Sequence, residues 1–152
     1  MFNSNPEFAQ PQKTQRETIR SATSYAHFAH NQALYLNKAV GTLLSAYQWA
    51  MIDYYGKPQV LEIDISNWTG EIGQRIQIKA KDNLMVLSVR VRIRENDVSQ
   101  IELERGEAVQ SKTDRLLWTY TTRMTLPQNG IRLEVLAYDL PGNMGEKSLI
   151  LE

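Results

Sequence analysis

Two kinds of hydrophobic spacing divide the chain. Up to about residue 57, apolar side chains recur every three or four positions, which is the spacing of one face of a helix. Beyond Pro58, apolar and polar residues alternate in short runs, which is the spacing of half-buried strands. The pattern predicts an α+β protein with a flexible tail over 1–13, a helical segment over 14–57 and a β-sandwich over 58–152.

The helical segment begins near Thr14 and carries a seam made mostly of alanine. The seam residues recur at alternating steps of three and four: Ile19, Ala22, Ala26, Ala29, Ala33, Leu36 and Val40. Asn31–Gln32 interrupts the pattern, so one helix and two helices are both allowed. Gly41 has the placement of a helix C-cap, and a further helix is predicted over Thr42–Tyr55. We predict a helical hairpin or a helix pair.

Aromatic side chains border this seam. Tyr25, Phe28 and Tyr35 lie beside the alanines, and Trp49 lies on the next helix. A helical part this small cannot bury such a face by itself. We therefore predict that these four residues contact a protein partner or a second copy of the chain.

The second half is predicted to form seven short strands, with a shorter piece near Glu107–Gln110. The seven predicted strands are Val60–Ile65, Gln74–Ala80, Met85–Arg94, Val98–Leu103, Leu116–Arg123, Ile131–Tyr138 and Gly145–Leu151. Strands at such intervals, separated by turn residues, indicate an antiparallel β-sandwich of the immunoglobulin or fibronectin kind.

Three motifs in this half carry a family resemblance. The turn Ala137–Asn143 has the pattern A-x-D-x-x-G-N, Ala80–Asn83 is its counterpart after the second strand, and Trp118–Tyr120 has the pattern W-x-Y. These motifs resemble bacterial immunoglobulin-like repeats. With the helical leader, the arrangement is similar to a group of small uncharacterised bacterial proteins. The resemblance implies an adhesion, carbohydrate-recognition or spacer module and brings no activity with it.

Composition excludes several classes of protein. The 152 residues contain no cysteine, which rules out a disulfide scaffold and a thiolate nucleophile. The 17 basic side chains equal the 17 acidic ones, which argues against a nucleic-acid partner. No apolar stretch is long enough for a membrane span, and the first residues do not have the pattern of a secretory signal. A cytoplasmic location is expected, with signal-independent export or a phage particle as the alternative.

One face of the third predicted strand is basic. Its arginines occupy every second position: Arg90, Arg92 and Arg94. We expect Glu102 and Glu104 to pair with them across the following hairpin, and Lys79 and Lys81 to lie on the neighbouring strand. An ion-pair ladder is the favoured interpretation, and an acidic ligand is the alternative.

Two aspartates are weak candidates for a calcium site. Asp82 and Asp139 are expected in neighbouring loops at one end of the sandwich, where carboxylate oxygens suit calcium. Each aspartate can equally cap its own turn, which is the favoured interpretation. A calcium site would need a third carboxylate, for which Asp64 and Glu146 are the candidates.

Two tryptophans of the second half have different predicted roles. Trp118 is expected in the core between the sheets. Trp68 lies in a glycine-bounded loop, where it covers the core or presents an exposed ring to a sugar. We include Trp68 among the predicted interaction residues.

No nucleophile elbow, phosphate loop, dinucleotide fingerprint or metal motif occurs in the chain. His27 and His30, the two histidines, are interpreted as surface or interface residues. We therefore predict a non-enzymatic structural or interaction module without a cofactor, which self-assembles through its helical segment. The alternative is a module that binds a carbohydrate or another cell-surface ligand.

Overall fold

The structure, a computed structural model, describes residues 14–152. The chain divides into two compact units, with the division between Tyr55 and Gly56. We call them the helical unit and the sandwich unit. The predicted tail over residues 1–13 lies outside the described residues. The helical unit contains α1 (Gln15–Ala29), α2 (Ala33–Ala39) and α3 (Ala46–Tyr55).

Helix α1 begins with a reciprocal cap. The Thr14 hydroxyl accepts from the Glu17 backbone N–H, and the Glu17 carboxylate accepts from the Thr14 N–H, each at 3.2 Å. This capping box satisfies two N–H groups that have no partner within the helix. The predicted start of the helix near Thr14 agrees with it.

The alanine seam is buried only along α1. Ala22, Ala26 and Ala29 are buried, whereas Leu36 and Val40 are exposed. The helix breaks at Gln32, whose extended backbone starts α2 in a new direction. As a result, Tyr35 rather than Leu36 is the fully buried residue of α2. This part of the chain therefore forms two helices, and the predicted seam is not continuous.

Helix α3 begins later than predicted. It starts at Ala46, because Ser45 and Gln48 exchange side-chain to backbone hydrogen bonds of 2.8 and 3.1 Å. Thr42, the predicted cap, instead donates its hydroxyl to carbonyl groups at the end of α2. Gly41 adopts a φ of +77°, which suits its predicted place after a helix end.

The sandwich unit has eight strands in two antiparallel sheets. The strands are β1 (Gln59–Asp64), β2 (Arg75–Lys81), β3 (Val86–Glu95), β4 (Glu102–Glu107), β5 (Val109–Gln110), β6 (Leu117–Thr121), β7 (Ile131–Asp139) and β8 (Met144–Leu151). Sheet A has the order β1-β2-β6-β5, and sheet B has the order β4-β3-β7-β8. The eighth strand, β5, is the short piece that the sequence placed near Glu107–Gln110.

The core of this unit receives side chains from both sheets. Strands β2 and β6 contribute Ile76, Ile78, Ala80, Trp118 and Tyr120, and strands β3 and β7 contribute Val89, Val91, Ile93, Leu133 and Val135. The residues between them in sequence face outward, so the alternation in the sequence specifies which face of each strand is buried.

Strand β4 begins four residues later than predicted. The Asp97 carboxylate accepts from the Ser99 N–H at 2.9 Å and from the Gln100 N–H at 3.3 Å, which lengthens the turn. Gln100 then adopts a positive φ of 47°. Because of this longer turn, the hairpin register differs from the one that the alternation suggests.

Candidate functional sites

The outer face of sheet B is rich in arginine and glutamate. On β3, the arginines at 90, 92 and 94 alternate with buried apolar residues. Cross-strand pairing adds Arg105 and two glutamates from β4, and Arg132 and Glu134 from β7. We call this surface the arginine face, and its charged residues are Arg90, Arg92, Arg94, Arg105, Arg132, Glu102, Glu107 and Glu134.

Ion pairs link these side chains. Arg90 contacts Glu107 at 3.0 Å, and Glu102 contacts both Arg92 at 3.4 Å and Arg105 at 2.8 Å. The predicted pairing of Glu102 with the arginines is therefore present. Lys79 lies on sheet A, where it contacts Glu62 at 3.5 Å, so the expected position of Lys79 and Lys81 beside the arginines was wrong.

Glu134 lies among three arginines. The distances from its carboxylate are 3.9 Å to Arg92, 3.8 Å to Arg94 and 3.6 Å to Arg132. These contacts are longer than hydrogen bonds, and the Nε atoms of the three arginines have no hydrogen-bond partner among the described residues. The cluster therefore has unused hydrogen-bonding capacity.

Glu104 does not join the arginine face, contrary to the sequence prediction. The register shifts between Ile93 and Arg94, so that Glu102 lies opposite Arg94 while Glu104 lies opposite Ile93. A β-bulge of this kind places one extra residue on one strand and turns the next side chain to the other face. Glu104 consequently faces the interior and is 7% exposed.

The inward Glu104 carboxylate is held by three donors. It accepts from the Tyr120 hydroxyl at 2.5 Å and from the backbone N–H groups of Arg123 and Met124 at 3.0 and 3.1 Å. Burial, and then the bond to Glu104, raise the pKa of Tyr120 to about 12. The sequence carried one signal for this arrangement: Gly106, inside a strand pattern, indicates a bulge or a close approach. A Cβ on Gly106 would lie 2.7 Å from the Tyr120 ring.

A concavity of about 430 Å³ opens on the arginine face. We call it the arginine pocket, and its lining includes Arg90, Arg92, Arg105, Glu107, Leu136 and Tyr138. The Arg90 guanidinium lies over the Tyr138 ring, 5.3 Å from its centroid. The pocket thus combines cationic groups with an aromatic and an aliphatic side chain.

Asp139 closes the turn before β8. Its carboxylate accepts from the Asn143 backbone N–H at 2.7 Å and from the Asn143 side-chain amide at 3.0 Å. The same amide donates to the Gly56 carbonyl at 2.7 Å, and Gly142 takes a φ of +97°. Burial raises the pKa of Asp139, the nearby charge of Asp82 raises it further, and the bonds from Asn143 oppose the shift.

Asp82 lies beside Asp139, as the sequence predicted for the two loops. One carboxylate oxygen of each residue lies within 4.8 Å of the other. Asp82 also accepts from the Leu84 N–H at 3.5 Å, a local bond across its own turn. The candidate third ligand Asp64 pairs with Gln77, at the opposite end of β1 from the Gln59–Lys81 pair. Asp82 and Asp139 thus each accept hydrogen bonds within their own turns, as the favoured interpretation expects.

The two tryptophans lie where the core interpretation places them. Trp118 is 5% exposed in the core. Trp68 is partly buried against the same core, and its indole N–H donates to the Pro127 carbonyl at 3.4 Å. Trp68 therefore covers one end of the core and keeps some exposure to solvent.

A hydrogen-bonded chain of hydroxyls lies inside the helical unit. Tyr35 is fully buried, donates to the Asp53 carboxylate at 2.6 Å and is hydrogen-bonded to the Tyr25 hydroxyl. Burial raises the pKa of Tyr35 well above its ordinary value, and the bond to Asp53 acts in the same direction. Tyr54 packs against Tyr25 with ring centroids 5.6 Å apart.

The other predicted residues of this unit differ in exposure. Phe28 is 81% exposed, while Trp49 is partly buried and donates its indole N–H to the Thr42 hydroxyl at 3.0 Å. The His30 Nδ1 lies 2.8 Å from the His27 carbonyl oxygen, within the same helix end. Of the predicted interaction residues in this unit, Phe28 is thus the most exposed and Tyr35 is internal.

No protein-family model matches the chain, and no curated protein resembles its sequence significantly. Among the helices of residues 14–152, none is both long enough and apolar enough to cross a membrane.

Proposed function

We propose that the protein is a non-enzymatic interaction module that self-assembles through its helical unit, with a second copy of the chain as the partner. The observation that carries the proposal is a run of exposed apolar side chains in and after α2. Leu36, Val40 and Leu43 are 47%, 80% and 104% exposed within eight consecutive residues. Phe28 on α1 adds a further exposed ring. Apolar groups concentrated in this way are typical of interaction surfaces.

The charge of the helical unit supports contact between identical copies. Residues 14–55 contain three basic and two acidic side chains: Arg16, Arg20, Lys38, Glu17 and Asp53. A two-fold interface brings the same surface of both copies together, so a low net charge limits their repulsion.

Two of the four edge strands, β4 and β5, favour the helical unit over strand pairing as the site of assembly. Edge strand β5 has only two residues. Edge strand β4 carries a bulge beside Glu102 and Glu104, and its exposed positions are charged. Short, charged and bulged edge strands disfavour pairing between sheets of different molecules.

The buried polar groups of the sandwich unit support a structural role over a catalytic one. Glu104 and Asp139 each accept hydrogen bonds from neighbouring residues of the same unit. Groups satisfied in this way stabilise turns and join strands.

Sedimentation velocity over a range of protein concentrations tests self-assembly. We expect a reversible increase in mass up to high micromolar concentration, abolished in the double variant Val40→Ser, Leu43→Ser. The matched control is Val98→Ser, Ile72→Ser in the sandwich unit, where a valine and an isoleucine are 104% and 64% exposed. A monomer at all concentrations, or equal loss of assembly in the control, would refute the proposal.

We also propose that the sandwich is immunoglobulin-like. With strands lettered in chain order as A, B, C, C′, D, E, F and G, the two sheets become A-B-E-D and C′-C-F-G. The first order and the C-F-G part of the second are those of immunoglobulin constant-type domains. The Asp139–Asn143 turn, held by side-chain hydrogen bonds, supports the likeness to bacterial immunoglobulin-like repeats. An experimental structure with a different strand order would contradict it.

The second candidate function is recognition of a carbohydrate or another cell-surface ligand. The observation that favours it is the arginine pocket, where cationic side chains lie beside Tyr138. Trp68 supports it less, because the indole is partly buried against the core.

A further inference from the structure

We propose that the arginine pocket binds a saccharide unit that carries a carboxylate. The inference rests on the second candidate function and gives it a defined site and ligand class. It does not depend on self-assembly, because every lining residue belongs to the sandwich unit.

Positive charge exceeds negative charge around the pocket. Three arginines line it, Arg90, Arg92 and Arg105, and Glu107 is the carboxylate among the lining residues named above. Over the whole ion-pair network of the arginine face, five arginines share three glutamates. A carboxylate on a ligand would reduce this imbalance.

Arg92 has the geometry of a group that can take a further partner. Its contacts to Glu102 and Glu134 are 3.4 and 3.9 Å, and neither is a hydrogen bond. By contrast, Arg90 and Arg105 form hydrogen bonds of 3.0 and 2.9 Å to their glutamates. An arginine guanidinium binds a carboxylate most strongly through two parallel hydrogen bonds, which Arg92 does not yet make.

The dimensions of the pocket suit a sugar ring better than a small inorganic anion. A volume of about 430 Å³ lies in the range of small-molecule sites, and a sulfate ion would fill little of it. Leu136 and Tyr138 provide an apolar wall against which the C–H groups of a sugar ring can pack.

The overall charge argues for a small ligand over an extended polyanion. The unit Gly56–Glu152 contains 13 basic and 14 acidic side chains, so its net charge is slightly negative. Nucleic acids are bound through many phosphate contacts to a basic surface, which this balance disfavours. A saccharide unit that carries one carboxylate needs only the local excess of positive charge around the pocket.

Isothermal titration calorimetry with defined saccharides tests the inference. The probe is a hyaluronan tetrasaccharide, whose uronate units carry carboxylates without sulfate. The neutral comparison is a chitin tetrasaccharide of the same length, and inorganic sulfate is the third ligand. We expect hyaluronan to bind, and both chitin and sulfate to bind at least about tenfold more weakly, which corresponds to the loss of one charged hydrogen bond.

Substitutions that remove a positive or a negative charge from the pocket separate recognition of the carboxylate from general charge effects. Arg92→Gln should weaken hyaluronan binding about tenfold, whereas Glu107→Gln should strengthen it because it frees Arg90. Arg115→Gln, an exposed arginine of the loop before β6, is the matched control and should change nothing. Thermal unfolding of each variant checks that the sandwich unit is intact.

Each contrary result overturns a part of the inference. Equal binding of the chitin tetrasaccharide would refute carboxylate recognition. Equal binding of sulfate would refute the sugar ring as part of the ligand. Equal loss of affinity in Arg115→Gln, or weaker binding in Glu107→Gln, would refute the pocket as the site. Hyaluronan binding without self-assembly would leave the inference intact, since the leading proposal fails on a different measurement.

Discussion

The Tyr120 hydroxyl of sheet A donates a 2.5 Å hydrogen bond to the Glu104 carboxylate of sheet B. The same carboxylate accepts from the backbone N–H groups of Arg123 and Met124, which follow β6. One side chain from an edge strand therefore joins the two sheets and fixes the chain as it leaves β6.

Loss of the Tyr120 hydroxyl should destabilise the sandwich unit. In Tyr120→Phe, the buried carboxylate of Glu104 loses one donor that water cannot easily replace. We expect the free energy of unfolding to fall by about 1–3 kcal/mol in urea denaturation. Tyr138→Phe on the partly exposed outer face is the matched control and should stay within about 0.5 kcal/mol of the parent protein. Equal effects in both variants would contradict a special role for the cross-sheet bond.

Two glycines differ in what an added methyl group would meet. At Gly145, a Cβ would lie 1.9 Å from the Pro58 backbone carbonyl oxygen, and at Gly106 it would lie 2.7 Å from the Tyr120 ring. A backbone group yields less than a side chain. We therefore expect Gly145→Ala to lower the thermal midpoint more than Gly106→Ala, whose cost should be about 1–3 kcal/mol. The reverse order would show that the Pro58 backbone moves more easily than the Tyr120 ring.

Asp139 should make the protein relatively more stable towards acid. Its pKa is raised in the folded state, mainly by burial, so folding favours the protonated form. The stabilising contribution is therefore fully present below the unfolded pKa, near 3.8, and is lost as the pH rises through the folded pKa. From neutral pH down to about pH 4, the parent protein should gain unfolding free energy relative to Asp139→Asn.

Asp97→Asn provides the comparison of opposite sign. Hydrogen bonds from Ser99 lower the pKa of Asp97, so its contribution is present above the unfolded pKa and is lost as the pH falls. Chemical denaturation of both variants from neutral pH down to about pH 3 measures the two slopes, because the contribution of Asp97 is lost only below its unfolded pKa of 3.8. The difference in unfolding free energy between the parent protein and each variant should change with pH in opposite directions for Asp139→Asn and Asp97→Asn. A change in the same direction for both variants would contradict the raised pKa of Asp139.

The buried tyrosine of the helical unit should be essential to that unit. Tyr35→Phe removes the donor that lies 2.6 Å from the Asp53 carboxylate, and the cost should be about 1–3 kcal/mol. Hydrogen exchange of the α3 amides reports on this unit directly, and their protection should fall while that of β3 and β7 stays unchanged. Tyr55→Phe, at a half-exposed ring, is the control. Unchanged protection of α3 in Tyr35→Phe would refute the role of the hydroxyl chain.

Local signals in the sequence predicted much of the fold. The spacing of Ile76, Ile78 and Ala80 defines the inward face of β2, and the Thr14–Glu17 box marks the start of α1. Such features depend on residues a few positions apart, so they can be recognised without the rest of the chain. The two aspartates at 82 and 139 were placed near each other because both close turns at the same end of their strands.

Local patterns do not specify contacts between residues that are far apart in the sequence. Glu102 and Glu104 alternate in sequence as if they shared a face, yet the bulge opposite Ile93 and Arg94 separates them. Leu36 belongs to the predicted seam and Tyr35 borders it, and only the break at Gln32 makes Tyr35 the internal residue. In each case one residue of slip exchanges buried and exposed positions.

The sequence by itself determined the two kinds of secondary structure and the inward face of most strands, because hydrophobic periodicity is a property of neighbouring residues. The tertiary structure decided that Glu104 joins two sheets, that Glu134 lies among three arginines and that the arginine pocket forms beside Tyr138. These relationships depend on strand register and on side chains far apart in the chain, and register is set when the sheets pair and pack.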